Sequence, residues 1–154
     1  MRSSQATDFE AGFTLLELLT VLSIVALVLA LAFPRLGGTS ARASLQGASL
    51  QLAAQLRACR AEALRTNRDV GMTIDISQHT YSSDVEIRAA RLARTIEVSM
   101  MGAGVEWLGD QVGRIRFRPD GGAGAVTVFL REGMLGATIT VDWLTGATHL
   151  DMKT

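Results

Sequence analysis

The sequence predicts an α+β chain in which one long N-terminal helix precedes a set of antiparallel strands. Three observations predict it. An apolar run extends from Phe13 to Phe33, interrupted by a single charge at Glu17. A helical apolar stripe follows as far as Asn67. From Asp69 onward the apolar period shortens from about 3.6 residues to about 2, the change from helix to half-buried strand. Such an order buries the helix stripe against a sheet face.

The first element is the run from Phe13 to Phe33. Its 21 residues at ~1.5 Å rise span roughly 32 Å, enough for one bilayer crossing. Glu17 does not belong in a plain anchor, because a charge at a bilayer centre costs at least ~2.5–3.5 kcal/mol. The twelve residues before the run are polar and removable, and a cut between Gly12 and Phe13 would set a free amine on Phe13 close to Glu17. That amine is a candidate partner for the carboxylate. A secretory leader cleaved at Ala30-Leu31-Ala32 is the competing reading. Arg2 is opposed there by Asp8 and Glu10, and Glu17 would interrupt the apolar core.

The segment GFTLLELLTVLSIVALVLALAFP resembles the N-terminus of the type IV pilin and type II secretion pseudopilin superfamily. The resemblance implies that a prepilin peptidase cuts after Gly12 and methylates Phe13. It also implies that Glu17 is the assembly glutamate and that Pro34 kinks the helix. Residues 1–12 are then a leader, 13–33 a transmembrane and filament-core helix, 34–67 its amphipathic continuation, and 68–154 a β-rich domain. Ala11 departs from the family, whose leaders tend to be basic just before the glycine. With Arg2 on one side and Arg35 and Arg42 on the other, the positive-inside bias is weak. A cytoplasmic leader and a periplasmic C-terminal domain are therefore what the resemblance implies, not what the charges dictate.

Composition sets further bounds. The chain has 154 residues, with 15 Lys and Arg against 15 Asp and Glu. Loss of Arg2, Asp8 and Glu10 would leave 14 against 13. Near-neutrality provides no strong electrostatic footprint for nucleic acid or anionic lipid. Aromatic residues are 5 %, too few for an obvious stacking platform. Cys59 is the one cysteine, so neither an intramolecular disulfide nor a thiol-based metal cluster can form.

Beyond Pro34, which cannot donate to the carbonyl of Ala30, and beyond Gly37 and Gly38, the helix resumes. Leu45, Ala48, Leu52, Leu56, Cys59 and Ala63 recur at spacings of three and four, and define its apolar face. Cys59 reads as a buried structural thiol. Gln46, Gln51, Gln55, Arg57, Arg60, Glu62 and Arg65 fill the solvated side.

Val70, Met72, Ile74 and Ile76 then alternate with polar or small residues, as a strand does. The polar stretch from Gln78 to Ala93 admits a loop, part of a hairpin or a short helix. Arg88, Arg91 and Arg94 fall there and just beyond it. Strands are expected at Thr95–Met100, Arg114–Arg118, Val126–Leu130 and Ala137–Trp143, with a turn at Leu144–Ala147 and an edge strand at Thr148–Met152. Pro119 presets φ for a turn, Asp120 can bond its own backbone, and Gly121 and Gly122 supply φ > 0.

The stretch IRFRPDGGAG, with Phe117, Pro119, Asp120 and Gly121, is similar to the strand-turn-strand signature of the H-type minor pseudopilins (GspH), a domain shared by FimT-type minor pilins. Thr145-Gly146 matches the family's late turn. The resemblance implies a type IV pilin-like fold and a single-pass protein of the bacterial inner membrane. It implies a minor pseudopilin near the pseudopilus tip that aids export of folded proteins. The partners it implies are the prepilin peptidase, the major and other minor pseudopilins, and the inner-membrane assembly platform. The alternative is a FimT-type subunit of a type IV pilus or of DNA uptake, which would need exposed cations. Arg88, Arg91 and Arg94 are the first candidates, followed by Arg114, Arg116 and Arg118.

Nothing in the residues points to catalysis. His79 and His149 stand at no metal-ligand spacing from each other or from Cys59. The serines lack a nucleophile elbow, and neither a phosphate loop nor a calcium loop occurs. No enzyme, cofactor or metal is expected.

Overall fold

The computed structural model describes residues 14–86 and 88–153, and within them the side chains of 30–40 lie outside the description. It contains a helix, α1 (Leu15–Thr66), followed by β1 (Val70–Asp75), β2 (Thr80–Ser83), β3 (Ala90–Arg91), β4 (Glu97–Met101), β5 (Val105–Trp107), β6 (Val112–Phe117), β7 (Val126–Glu132), β8 (Leu135–Val141) and β9 (Thr148–Lys153). The α+β order expected from the sequence is thus present. Compactness divides the chain into residues 1–38 and residues 39–154, each taken by itself below.

In the first unit, all side chains described from 14 to 29 are exposed. Thr14 precedes the helix, and its Oγ1 accepts from the Glu17 amide at 3.2 Å. Thr20 and Ser23 direct their hydroxyls back to helix carbonyls, at 2.9 Å to Glu17 O and 2.8 Å to Leu19 O. This leaves a surface of Leu, Val and Ile with no polar side chain projecting freely except Glu17. Among the described residues no helix is long and apolar enough to cross a membrane, and the described side chains cover only part of the 13–33 run. The helix assignment continues through Pro34, but the bend expected there lies outside the described residues.

In the second unit, Leu45, Ser49, Leu52, Ala53, Leu56, Cys59 and Ala63 of α1 are fully buried. Ala48 packs against this core as expected, and Ser49 joins it as a fully buried polar residue. Its hydroxyl donates to Gln46 O at 3.0 Å and lies 3.5 Å from Met152 Sδ, so the buried polar atom is satisfied. Burial pushes the Cys59 thiol up to about 11, which makes it an inert packing group. The helix ends at Asn67, whose φ of 51° is the left-handed stop that Asn tolerates.

The strands form two antiparallel sheets, ordered β3-β2-β1-β6-β5 and β4-β7-β8-β9. A single sheet face under the helix is therefore too simple. The helix bonds to both sheets: Cys59 Sγ approaches Gly71 O of β1 at 3.8 Å, and Arg57 donates to Thr148 O of β9 at 3.2 Å. The core fills the space between them with Met72, Ile74, Ile115, Phe117, Val128, Leu130 and Ile139. Register keeps these side chains on one face; Met72 pairs with Ile115, and Val128 with Ile139.

The unassigned stretch from 78 to 93 resolves into β2, a connection, and β3, with no helix among its described residues. The β1–β2 turn is held by Asp75, whose carboxylate accepts from Ser77 Oγ at 2.6 Å and from the Gln78 amide at 2.9 Å. The three-residue strand β5 has no counterpart in the expectations.

Truncating the central stripe residue Leu52 to Ala should cost about 2–5 kcal/mol, the range for a buried leucine. Gln51→Ala, one residue away on the exposed side, should stay within about 0.5 kcal/mol. Urea denaturation of the two variants separates them. Equal effects would show that the stripe is not the core.

Candidate functional site

Two regions carry the residues singled out by the sequence. The first is the start of α1. Gly12 and Phe13 lie outside the described residues. Glu17 stands in the first turn of the helix and is exposed. A carboxylate in the first turn is favoured by the unpaired amides and by the positive end of the helix dipole. Thr14 and Glu17 also have the spacing of a capping box, with the Glu17 amide donating to Thr14 Oγ1. Leu15, Leu16, Leu18, Leu19, Leu22 and Ile24 are each more than half exposed around Glu17. Such a contiguous apolar surface is built to meet lipid or other protein, not water.

The second region is a cluster of turns on the C-terminal half of α1. After β6, the Arg118 amide donates to Gly122 O at 2.8 Å and the Gly121 amide to Arg118 O at 2.8 Å. Asp120 Oδ1 accepts from the Gly122 amide at 2.8 Å, the self-bonding expected of that aspartate. Phe117 is fully buried, and Gly121 has a φ of 79°, which explains the glycine. The Asp142–Ala147 turn lies against it. A Cβ on Gly146 would come within 2.0 Å of Gly121 O, so the two turns touch backbone to backbone.

Arg60 joins both to the helix. Its Nε donates to Thr145 O at 2.8 Å and to Gly121 O at 3.3 Å. Sequence reading placed Arg60 on the solvated side of the helix. Its acceptors lie more than sixty residues away, so no local pattern could reveal the contact. Within the second turn, Asp142 Oδ1 accepts from the Thr145 amide at 2.8 Å, the Thr145 hydroxyl at 2.8 Å and the Leu144 amide at 3.1 Å. The Thr145 amide first, and then its hydroxyl, hold the Asp142 carboxyl below the usual carboxylate range.

The arginines considered for nucleic acid do not form one face of a helix. Arg88 sits in the β2–β3 connection, Arg91 on β3 and Arg94 in the turn after it, all exposed. Arg114 pairs with Asp84 at 2.6 Å. Arg116 pairs with Glu106, and with Asp69 at 3.5 Å. Arg118 lies 3.5 Å from Asp120. A recess of about 310 Å³ runs past Asp69, Glu106, Arg116 and Arg118, so its cations face carboxylates already. His79 sits in the β1–β2 turn with a φ of 53°, and His149 on β9. Among the described residues no group of three His, Cys, Asp or Glu could hold a metal ion. The arrangement offers surfaces and a fixed scaffold rather than a nucleophile beside a base.

Arg60→Ala should destabilise the second unit by about 1 kcal/mol, below the ~1.5–3 kcal/mol of a buried charged hydrogen bond because the side chain is only partly buried. Amide exchange at Gly121 and Gly146 should speed up while exchange in β1 stays slow; unchanged protection at both glycines would remove Arg60 from the cluster. Asp142 supplies a pH signature. Its folded pKa lies below the unfolded one, so its contribution is present above about pH 3.9 and is lost as pH falls through the depressed value. The Thr145 amide resonance should titrate below about pH 4 in the native chain and stay flat in Asp142→Ala.

The family "Type II transport protein GspH" matches residues 48–146, and the "Prokaryotic N-terminal methylation motif" matches residues 9–33. A comparison with curated proteins found no match. Among solved structures, the minor pseudopilin EpsH from the type 2 secretion system of Vibrio cholerae is similar with a TM-score of 0.58 at 12% identity, covering 71% of this chain and 97% of that one. The type IV minor pilin FimU of Pseudomonas aeruginosa is similar with a TM-score of 0.53 at 17% identity, covering 70% and 92%. A second crystal form of FimU has a TM-score of 0.53 at 16% identity, covering 73% and 90%. At these identities the structures establish a common fold. The family match spans well over half of the chain, takes in the helix stripe from Ala48 onward and both turns gathered by Arg60, and places this chain in the type II transport protein GspH family.

Proposed function

We propose that this chain is a minor pseudopilin of the type II secretion system. One observation carries the reading: a single chain joins the N-terminal methylation motif at 9–33 to the GspH family domain at 48–146. The role is structural, not catalytic.

In this reading residues 1–12 are the leader, which the prepilin peptidase removes after Gly12 before methylating Phe13. Residues 13–33 anchor the subunit in the bacterial inner membrane with the β-rich domain, 68–154, in the periplasm. Residues 34–67 carry the amphipathic stripe, and Pro34 bends the helix between the two. The apolar helix then moves from lipid into the core of the pseudopilus, guided by the assembly platform and by the major and other minor pseudopilins. The Glu17 carboxylate meets the Phe13 amine of a neighbouring subunit, which offsets the cost of carrying a charge into an apolar environment. The turn with Phe117, Pro119, Asp120 and Gly121 belongs to the scaffold that shapes the tip-facing domain.

The FimT-type reading, in pilus assembly or DNA uptake, draws support from the fold shared with FimU. Against a nucleic-acid role, Arg114 and Arg116 are occupied by carboxylates, and the sequence carries no net positive charge. Of the arginines weighed for that reading, Arg118 lies 3.5 Å from Asp120, and Arg88, Arg91 and Arg94 stand exposed among the described residues as its first phosphate contacts.

Glu17→Val should insert into the membrane as well as the native chain, yet fail to restore export in a secretion strain lacking this subunit. The measurement is exoprotein activity in the culture medium, with membrane-fraction immunoblots to confirm insertion. Full export by Glu17→Val would remove the carboxylate from assembly. Export restored by neither chain, with normal insertion of both, would count against the secretion reading itself.

A further inference from the structure

The two sheets end on four edges, and three of them are guarded. The first sheet ends on β3, two residues long, and β5, three residues long, too short to template another strand. The second sheet ends on β9, which carries Asp151 and Lys153, and whose Thr148 carbonyl accepts from Arg57. Its other edge is β4, Glu97-Val98-Ser99-Met100-Met101. Among the described residues β4 pairs only with β7, one residue to one residue, so no bulge turns it aside. It holds no Lys and no Pro, and no charge points inward from it. Val98 and Met100 are buried while Glu97, Ser99 and Met101 are exposed. A recess of about 350 Å³ opens beside it, lined by Glu97, Val98, Ser99, Phe129 and Arg131. Phe129 in that recess and Met101 at the end of β4 keep 37% and 58% of their surface in solvent.

We propose that β4 pairs antiparallel with β4 of a second copy of this chain, about a two-fold axis through Ser99. The strand is complementary to itself in that arrangement. Ser99 faces Ser99, where the hydroxyls can bond across the strands. Val98 faces Met100 of the other copy, twice, and both are apolar residues on the core side. Glu97 faces Met101 of the other copy, so no like charges meet. Arg131 stays with Glu97, donating through Nε at 3.0 Å and Nη2 at 2.7 Å, and leaves no carboxylate unpaired at the join. A parallel pairing in register would instead set Glu97 against Glu97, which is unfavourable. The antiparallel contact is isologous and closes at two copies, with a continuous sheet of strands from both. It is independent of the secretion reading, since it needs only the β-rich domain.

The test uses purified full-length protein in detergent, with Cys59→Ala as background. Paired strands hold facing Cα atoms about 4.5–5.5 Å apart, within disulfide reach. Ser99→Cys should therefore form a disulfide-linked dimer under copper–phenanthroline oxidation several-fold faster than Thr140→Cys, an exposed position on β8 away from the edge. Sedimentation should show a dimer of the native chain that Ser99→Lys converts to monomer. Equal crosslinking of the two cysteine variants, no crosslinking of either, or a dimer that survives Ser99→Lys would each overturn the pairing.

Discussion

The buried stripe on the second half of α1 is the constraint from which the rest of the domain follows. Two separate sheets of five and four strands share no strand. They become one domain because Leu45, Leu52, Leu56, Cys59 and Ala63 supply a common apolar face. The helix also carries the hydrogen bonds that fix each sheet to it, through Gly71 on one side and Thr148 on the other. At the far end of the stripe Arg60 gathers two turns that are distant in sequence, and Asn67 ends the helix where β1 must begin. The same helix presents an exposed apolar surface in its first turns. One element therefore carries both the core stripe of the folded domain and, in its first turns, exposed apolar side chains.

Much of this was legible in the sequence, and the exceptions have physical causes. Spacings of three and four announced the stripe, and the alternation around Met72, Ile115 and Val128 announced the central strands, because burial on one face imposes a period. Where burial is slight, the period fades. The strands β2, β3 and β5 are short and lie at or next to a sheet edge, and the 78–93 stretch accordingly gave no clear choice. Ser49 joined the stripe beside Ala48 because a serine that bonds back to its own helix can sit in a core, and hydropathy alone does not see that bond. The turn at Pro119–Gly122 was readable from residue type, since Asp120 and Gly121 are required locally. Arg60 was not, since its acceptors are brought near only by the finished fold.

Processing and anchoring form the reverse case. Gly12, Phe13 and Glu17 stood out from the sequence alone, through one charge in an apolar run and its distance from a glycine. Thr14 caps the first turn through the Glu17 amide, and an acid in that turn also suits the positive end of the helix.

The account stands or falls on how the N-terminus is made. Intact-mass and N-terminal peptide spectra of the protein taken from bacterial membranes test this directly. The account predicts a mature chain that begins at Phe13 with one added methyl group and retains Glu17. A chain that begins at Phe33, cleaved after Ala32, or one that keeps residues 1–12, would contradict it.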